Sequence, residues 1–504
     1  MKRFFFWFFF FLVAFVLFFF SLNLFDARPG PGTSLEGGAS LSGDKPPAAH
    51  LEAGNGFYLI WGFAEPPETD PPAAAFRAQV QELFNGPRKN YLLRSRYGQW
   101  LTRLNASYRQ NWQGASLYFP QLPGEDVCAY FASRRAQLME QQQRFAEPLR
   151  RYRQVLLAAD LKDFTPLGWE FPARSFLLAI YTAKLFAASR ALAAIDGQWS
   201  KAGDELLESM AAGLKLIGSG RTLTVNSLGK AMVEFSLRTL GSLLNRNDCP
   251  DALVRRILER LPARPIADFG TAQARTFTWM GFAHALERVK KEKIVDPFLL
   301  KDHFRNPADF YTLERFVAIS GPRLFGMAHA LAAFFLKKNE STAVMRAFWE
   351  GVGRLEETPR YLWRSRSRPR FRLGAALDLG PFWWLRNPLG KMMVHSAVPY
   401  TWPVLQHYIY RSQGLKVRYD LTRLLARARL QAIRNIGLGR AALKELLALA
   451  DGCDPFSGGP YLFHPGSGML YSVGPDRSDH NGREQPSWWR DSDIAVPIKF
   501  IIGD

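Results

Sequence analysis

"FPARSFLLAIYTAKLFAASRALAAIDGQWSKAGDELLESMAAGLKLIGSG", Phe171 to Gly220, decides the fold class. In its first half Phe176, Ile180, Ala183, Ala187 and Ala191 recur at helical spacing, and the alanines permit close helix approach. Arg174, Lys184 and Arg190 interrupt that half, which argues against a membrane span. Asp196-Gly197 signals a turn. In the second half Trp199, Ala202, Leu206, Met210, Leu214 and Ile217 form one apolar stripe, and Gly218 and Gly220 predict its end. Two helices with a tight turn between them make a helical hairpin.

The same texture extends on both sides. "RTLTVNSLGKAMVEFSLRTLGSLL" places Leu228, Met232, Phe235 and Leu243 on one side of a helix. Pro250 stands where the first turn of "DALVRRILERL" begins. "TAQARTFTWMGFAHALERVKKEK", "GPRLFGMAHALAAFFLKKNE" and "VRYDLTRLLARARLQAIRN" also read as helices. Upstream, "NGFYLIWGF" (Asn55 to Phe63) is a short apolar run suited to a buried strand or a first helical turn. No fixed repeat period emerges. The expectation is a mainly α fold: a helical-hairpin bundle, irregular and solenoid-like, over residues 55–357 with a second helical part over 389–450.

Between them, residues 358–388 break the helical pattern. "PRYLWRSRSRPRFRLG" carries Arg360, Arg364, Arg366, Arg368, Arg370 and Arg372, with Pro369 and Gly374 excluding a long helix, and Trp383-Trp384 follow. This Arg/Trp-rich connecting segment is expected to be extended. Its arginines contact an anionic lipid or polymer, form a solvated basic loop, or pair with acidic helices such as the one holding Glu356 and Glu357. From Asp451 the turn residues of "DGCDPFSGGPYLFHPGSGMLYSVGPD" separate "PYLF" from "MLYSV", which predicts a β-hairpin in a small C-terminal β module, residues 451–504.

At 504 residues the chain is too long for one core, so two or more folded units are expected. A hydrophobic fraction of 47% and a charged fraction of 22% are those of a globular protein. The one long charge-free run is Phe4–Leu24, preceded by Lys2 and Arg3. About 20 residues at 1.5 Å rise cross roughly 30 Å of hydrocarbon. The basic flank places the N-terminus in the cytoplasm and the bulk outside it. A cleaved signal peptide would carry small residues at −3 and −1, whereas Ala27 is preceded at −3 by Phe25. The run is therefore read as an uncleaved N-terminal single transmembrane helix, residues 1–25, in the inner membrane. Residues 26–54, rich in Gly, Pro, Ser and Ala, read as a flexible linker.

Net charge is +20 with a pI near 9.9. For a domain held at an outer membrane face this points to anionic headgroups or an acidic envelope polymer, and away from nucleic acid. Cys128, Cys249 and Cys453 have no CxxC spacing and make neither a disulfide framework nor a zinc site. His284, His303, His329, His395, His407, His464 and His480 show no HxxxH or HExxH spacing. GxSxG, GxxxxGK[ST] and GxGxxG are absent, which leaves the common hydrolase, P-loop and dinucleotide signatures unrepresented.

"NGFYLIWGFAEPPETDP", the DGQW hairpin with "RTLTVNSLGKAM", and "NPLGKMM…AVP" leading into "DPFSGGPYLF…LYSVGPD" resemble a family of uncharacterised bacterial membrane-anchored proteins, from Asn55 to the C-terminus. The C-terminal part separately resembles the calcium-binding end of the major pseudopilin of type II secretion systems. Asp454, Pro455, Phe456, Pro460 and Tyr461 match its first element, Tyr471, Ser472, Gly474 and Asp476 its second, and Asp491, Asp493 and Ile494 its third. The N-terminus departs from that family: it lacks the Gly followed by a short apolar stretch and Glu of the processing site. The chain is thus not itself read as a pilus subunit.

The resemblance implies calcium as a cofactor. Asp476, Asp479, Asp491 and Asp493 are the candidate ligands, since calcium takes six to eight oxygens from carboxylates and carbonyls. The alternatives are solvated turn residues, or pairing with the local Arg477, Arg483 and Arg490. The expected function is a single-pass envelope protein whose extracytoplasmic helical domain is a binding or scaffold module, linked through its C-terminus to secretion or pilus machinery. The alternative is an envelope hydrolase acting on a polymer, its catalytic residues converging only in space. No residue pattern marks an enzyme.

Overall fold

In the computed structural model, the stripe that breaks at Asp196-Gly197 becomes two antiparallel helices, α6 (Ala173–Ile195) and α7 (Trp199–Ser219). Gly197 sits at φ 85°, a conformation glycine adopts without strain. The Gln198 N–H donates to the Ala193 carbonyl and the Gly197 N–H to that of Ala194, the paired bonds that end a helix at a left-handed residue. At the far end Gly218 lies inside the last turn of α7, and Gly220 closes it. The structure describes residues 55–67, 91–113, 117–120, 125–165, 173–292, 337–363, 388–434, 439–448, 453–483 and 493–500. The expected anchor and linker, Arg364 to Arg372, Asp491 and most of "GPRLFGMAHALAAFFLKKNE" lie outside them.

The third helix of this set, α8 (Leu223–Leu244), starts where the Thr222 hydroxyl accepts the Val225 N–H at 3.2 Å. It packs against both α6 and α7. At its crossing with α7 the backbones nearly touch: a Cβ on Gly229 would lie 2.6 Å from the Gly213 carbonyl oxygen. Small residues at a crossing are what allow this approach. Among the described helices α6 alone is long and apolar enough to cross a membrane, and 78% of its most apolar window is buried inside the protein. Its apolar surface is covered by neighbouring helices.

Before this set come α1 (Phe57–Trp61), α2 (Tyr91–Ser107, running on as a π turn to Trp112), α3 (Val127–Ser133), α4 (Arg135–Arg144) and α5 (Ala146–Leu157). The "NGFYLIWGF" run is therefore a helical turn. Its rings bury against loop and helix aromatics, with Tyr58 stacked on Phe164 at 4.2 Å and Phe57 edge-on to it at 5.0 Å. The fully buried Arg151 of α5 donates to the carbonyls of Phe63, Glu65 and Pro66 and to the Glu147 carboxylate.

After α8 follow α9 (Asp251–Arg260), α10 (Ala272–Glu292), α11 (Lys338–Glu357), α12 (Pro388–Arg434) and α13 (Arg440–Ala448). At 47 residues, α12 spans about 70 Å. It touches α8, α9, α11 and α13. Pro250 is the residue before α9, one position earlier than the spacing suggested.

The C-terminal module is a three-stranded antiparallel sheet in the order β1 (Leu462–His464), β2 (Met469–Ser472), β3 (Ile494–Pro497). Its hairpin pairs Leu462 with Tyr471 and His464 with Met469. The third strand goes beyond the two-stranded hairpin expected from the turn residues: "IAVP" pairs Leu470 with Val496. The Asn245 side chain at the end of α8 donates to the Pro497 carbonyl at 2.8 Å and accepts the Lys499 N–H at 2.9 Å. One apolar cluster runs from Phe57 through Leu240 and Tyr419 to Leu470 and Val496, joining helices and sheet. A smaller second cluster, built around Phe282, Met345, Phe348, Val352, Leu405 and Ile409, sits between α10, α11 and α12.

Candidate functional site

The acidic loop gathers three of the four candidate calcium ligands among the described residues, and donors of the loop satisfy each. Asp493 is fully buried and accepts the N–H groups of His480 at 3.1 Å and Gly482 at 2.7 Å. Burial pushes its carboxyl up to about 6, against those two N–H groups and the nearby His480, which favour the charged form. Asp479 accepts the Tyr471 hydroxyl and the Asn481 N–H. Asp476 accepts the Ser478 N–H and pairs with His480 Nε2 at 2.8 Å, and that bond raises the His480 pKa. Asp454, matched in the same resemblance, is buried with three donors: the Phe456 N–H and the hydroxyls of Ser457 and Ser472. Among the described residues no three His, Cys, Asp or Glu side chains form a group able to hold a metal ion.

Of the six arginines assigned to anionic contact, Arg360 is described. Its guanidinium lies over the Trp363 ring at 4.8 Å and faces Tyr410 of α12 at 5.9 Å, while the Tyr361 N–H donates to the Pro455 carbonyl. The start of the connecting segment is thus laid against α12 and the β module. Glu356 and Glu357, expected as partners for these arginines, both lie within reach of Arg275 of α10, at 2.6 and 3.4 Å.

That Glu356 contact belongs to a buried polar cluster. Lys230 of α8 has no exposed surface and donates to the Ser412 hydroxyl of α12 at 2.6 Å. Ser412 donates to Glu356 Oε1 at 2.7 Å or to the Tyr408 carbonyl at 2.9 Å. The other carboxylate oxygen, Oε2, accepts the Thr271 N–H, the Thr271 hydroxyl and Arg275 Nη1. Gly353 makes room for the guanidinium, since a Cβ there would meet Arg275 at 2.8 Å. Burial pulls the Lys230 ammonium down to about 7; Glu356 opposes the shift, and Arg411 and Arg275 add to it.

A serine hydroxyl against a near-neutral lysine is a pairing used for nucleophilic catalysis. Here both side chains are fully buried, and neither lines the cavities described next. The pair is closed to substrate in this arrangement. Two of the three cysteines are equally quiet: Cys128 and Cys249 are buried free thiols, raised by burial to about 12 and about 11, while Cys453 is exposed.

Cavities that border described residues include a small crevice and an open depression. A crevice of about 40 Å³ between Asp126, Arg238, Arg418 and Lys499 holds little more than a water molecule. A depression of about 410 Å³ opens between α9, α12 and α13. Leu258, Leu430 and Leu446 give it an apolar floor, and Arg427, Gln431 and Arg434 follow one another at one-turn spacing along a single face of α12. Arg434 is exposed at its end. Sequence reading passed over this site because its walls come from three helices. The visible signal was the spacing of Arg423, Arg427 and Arg434 in "TRLLARARLQAIR". No protein-family model, curated protein or solved structure matches the chain, so both resemblances stand on the quoted residues alone.

Proposed function

We propose that this chain is a single-pass envelope protein, held by Phe4–Leu24, whose extracytoplasmic helical body is a binding or scaffold module. Its groove between α9, α12 and α13 takes the headgroup of an anionic phospholipid. The observation that carries this reading is the groove itself: a leucine floor edged by the exposed Arg434, in a chain of net charge +20. Guanidinium groups bind phosphate through paired charge-assisted hydrogen bonds, and leucines beside them suit the first carbons of an acyl chain. A body tethered to the bilayer meets such headgroups at high local concentration. The C-terminal resemblance favours secretion or pilus machinery as the assembly this module serves.

Two measurements test the reading. A compartment-sensitive reporter fused to the C-terminus should be active outside the cytoplasm; activity inside it overturns the topology. The full-length chain in neutral detergent should be retained on phosphatidylglycerol-coated beads, released by salt, and pass over phosphatidylcholine beads. Retention that is equal on both lipids, or unchanged in Arg427→Glu/Arg434→Glu, removes the groove from the proposal. The rival reading, an envelope hydrolase with catalytic residues converging only in space, finds its nearest candidate among the described residues in Lys230 and Ser412, and their burial weighs against it.

A further inference from the structure

The Lys230 cluster is built from four helices: Lys230 on α8, Thr271 and Arg275 at the start of α10, Glu356 on α11 and Ser412 on α12. The same α10 and α11 carry the second apolar cluster, which reaches the main body through α12. Lys230–Ser412 joins α8 to α12, the Thr271 and Arg275 bonds join α10 to α11, and the Ser412–Glu356 bond links the two pairs through the same buried cluster. We propose that the Lys230–Ser412–Glu356–Arg275 cluster is a proton-sensitive clasp that fastens α10 and α11 to the body of the protein.

The charge count explains the sensitivity. With Lys230 protonated, the buried set holds two cations, Lys230 and Arg275, against the single carboxylate of Glu356. Glu357 stands half-exposed at the edge, 3.4 Å from Arg275. From α12, Arg411 also acts on Lys230 as a like charge and is itself drawn to Glu234, 3.7 Å away. None of α3, α6 and α7, which also pack against α8, brings a charge that acts on Lys230. Its ammonium makes one hydrogen bond, to Ser412, and faces the Tyr408 ring at 5.9 Å. A neutral amine leaves the matched Arg275–Glu356 pair and needs no further partners.

The sign follows from linkage. Undocking returns Lys230 to water, where a lysine holds its proton up to about 10.4, whereas the docked form releases it near 7. Below neutrality both forms are protonated and the docking balance is flat. Above it the undocked form binds one proton more, so each pH unit shifts the balance about tenfold toward docking.

Hydrogen exchange on the full-length chain tests this, with protection factors corrected for intrinsic exchange between pH 6 and pH 9. In α10 and α11 they should be flat up to about pH 7 and then rise about tenfold per pH unit. Lys230→Met should be protected at pH 6 and flat throughout. Lys230→Arg, charged at every pH of the series, should remain at the low-pH level and gives a reading if the methionine variant does not fold. Flat wild-type protection, or a slope that persists in Lys230→Arg, overturns the clasp.

Discussion

Arg151 shows how a single side chain can organise a chain segment. It is fully buried, yet its guanidinium makes four hydrogen bonds, to the carbonyls of Phe63, Glu65 and Pro66 and to the Glu147 carboxylate. Arg151→Met strands those acceptors and should lower stability by about 3–5 kcal/mol, measured by denaturant unfolding. Arg151→Lys should recover only part, because an ammonium lacks the planar fork. At Asp493 the sign runs differently. Its folded pKa of about 6 lies above the ordinary 3.8. The folded form holds this proton more tightly, so the stability it contributes is present in acid and lost as pH climbs from about 4 through 6. Asp493→Asn should flatten the wild-type fall in melting temperature across that window. An unchanged slope would place the titrating group elsewhere.

At the scale of secondary-structure elements, the α7–α8 crossing brings two backbones into direct contact and is the clearest target. Gly229→Ala would gain up to about 1 kcal/mol in an isolated helix. Here the added carbon would lie 2.6 Å from the Gly213 carbonyl oxygen and 2.9 Å from the Ile217 nitrogen, both backbone atoms that cannot rotate away. The expected outcome is a net loss of about 1–3 kcal/mol, whereas Gly218→Ala, with open space around it, should be neutral or stabilising. Equal effects from the two would remove the close crossing as the reason for glycine. The α6–α7 turn was legible as Asp196-Gly197 because a helix end needs a left-handed residue at a definite place. The start of α9 was legible to within one residue for the same local reason.

Across the molecule, helices and sheet share one apolar cluster, and the reciprocal bonds between Asn245 and the chain at Pro497 and Lys499 tie the ends together. Elements that share a core unfold together. Calorimetry should therefore show the β module and α8 melting in one transition. Asn245→Ala, which leaves a carbonyl and an N–H without partners, should shift that whole transition downward by an amount equivalent to about 1–3 kcal/mol. A separate early transition for the β module would contradict the shared core.

Periodicity in the chain was enough to specify the helices of the α6–α8 set and the β1–β2 hairpin, because both are written in neighbours a few residues apart. It told which face of each helix is apolar and left open what that face would meet. The pairing of β3 with β2, the meeting of Lys230 with Ser412 across 182 residues, and that of Thr271 with Glu356 across 85 were settled by tertiary packing. So was the groove, which exists only where Leu258, Arg427, Arg434 and Leu446 come together from three helices. Asn226 and Lys230, two buried polar residues one turn apart on α8, were the trace that such buried polar contacts leave in sequence. Their partners could not be read there, because a hydrogen bond between distant residues follows from how helices cross and carries no local spacing.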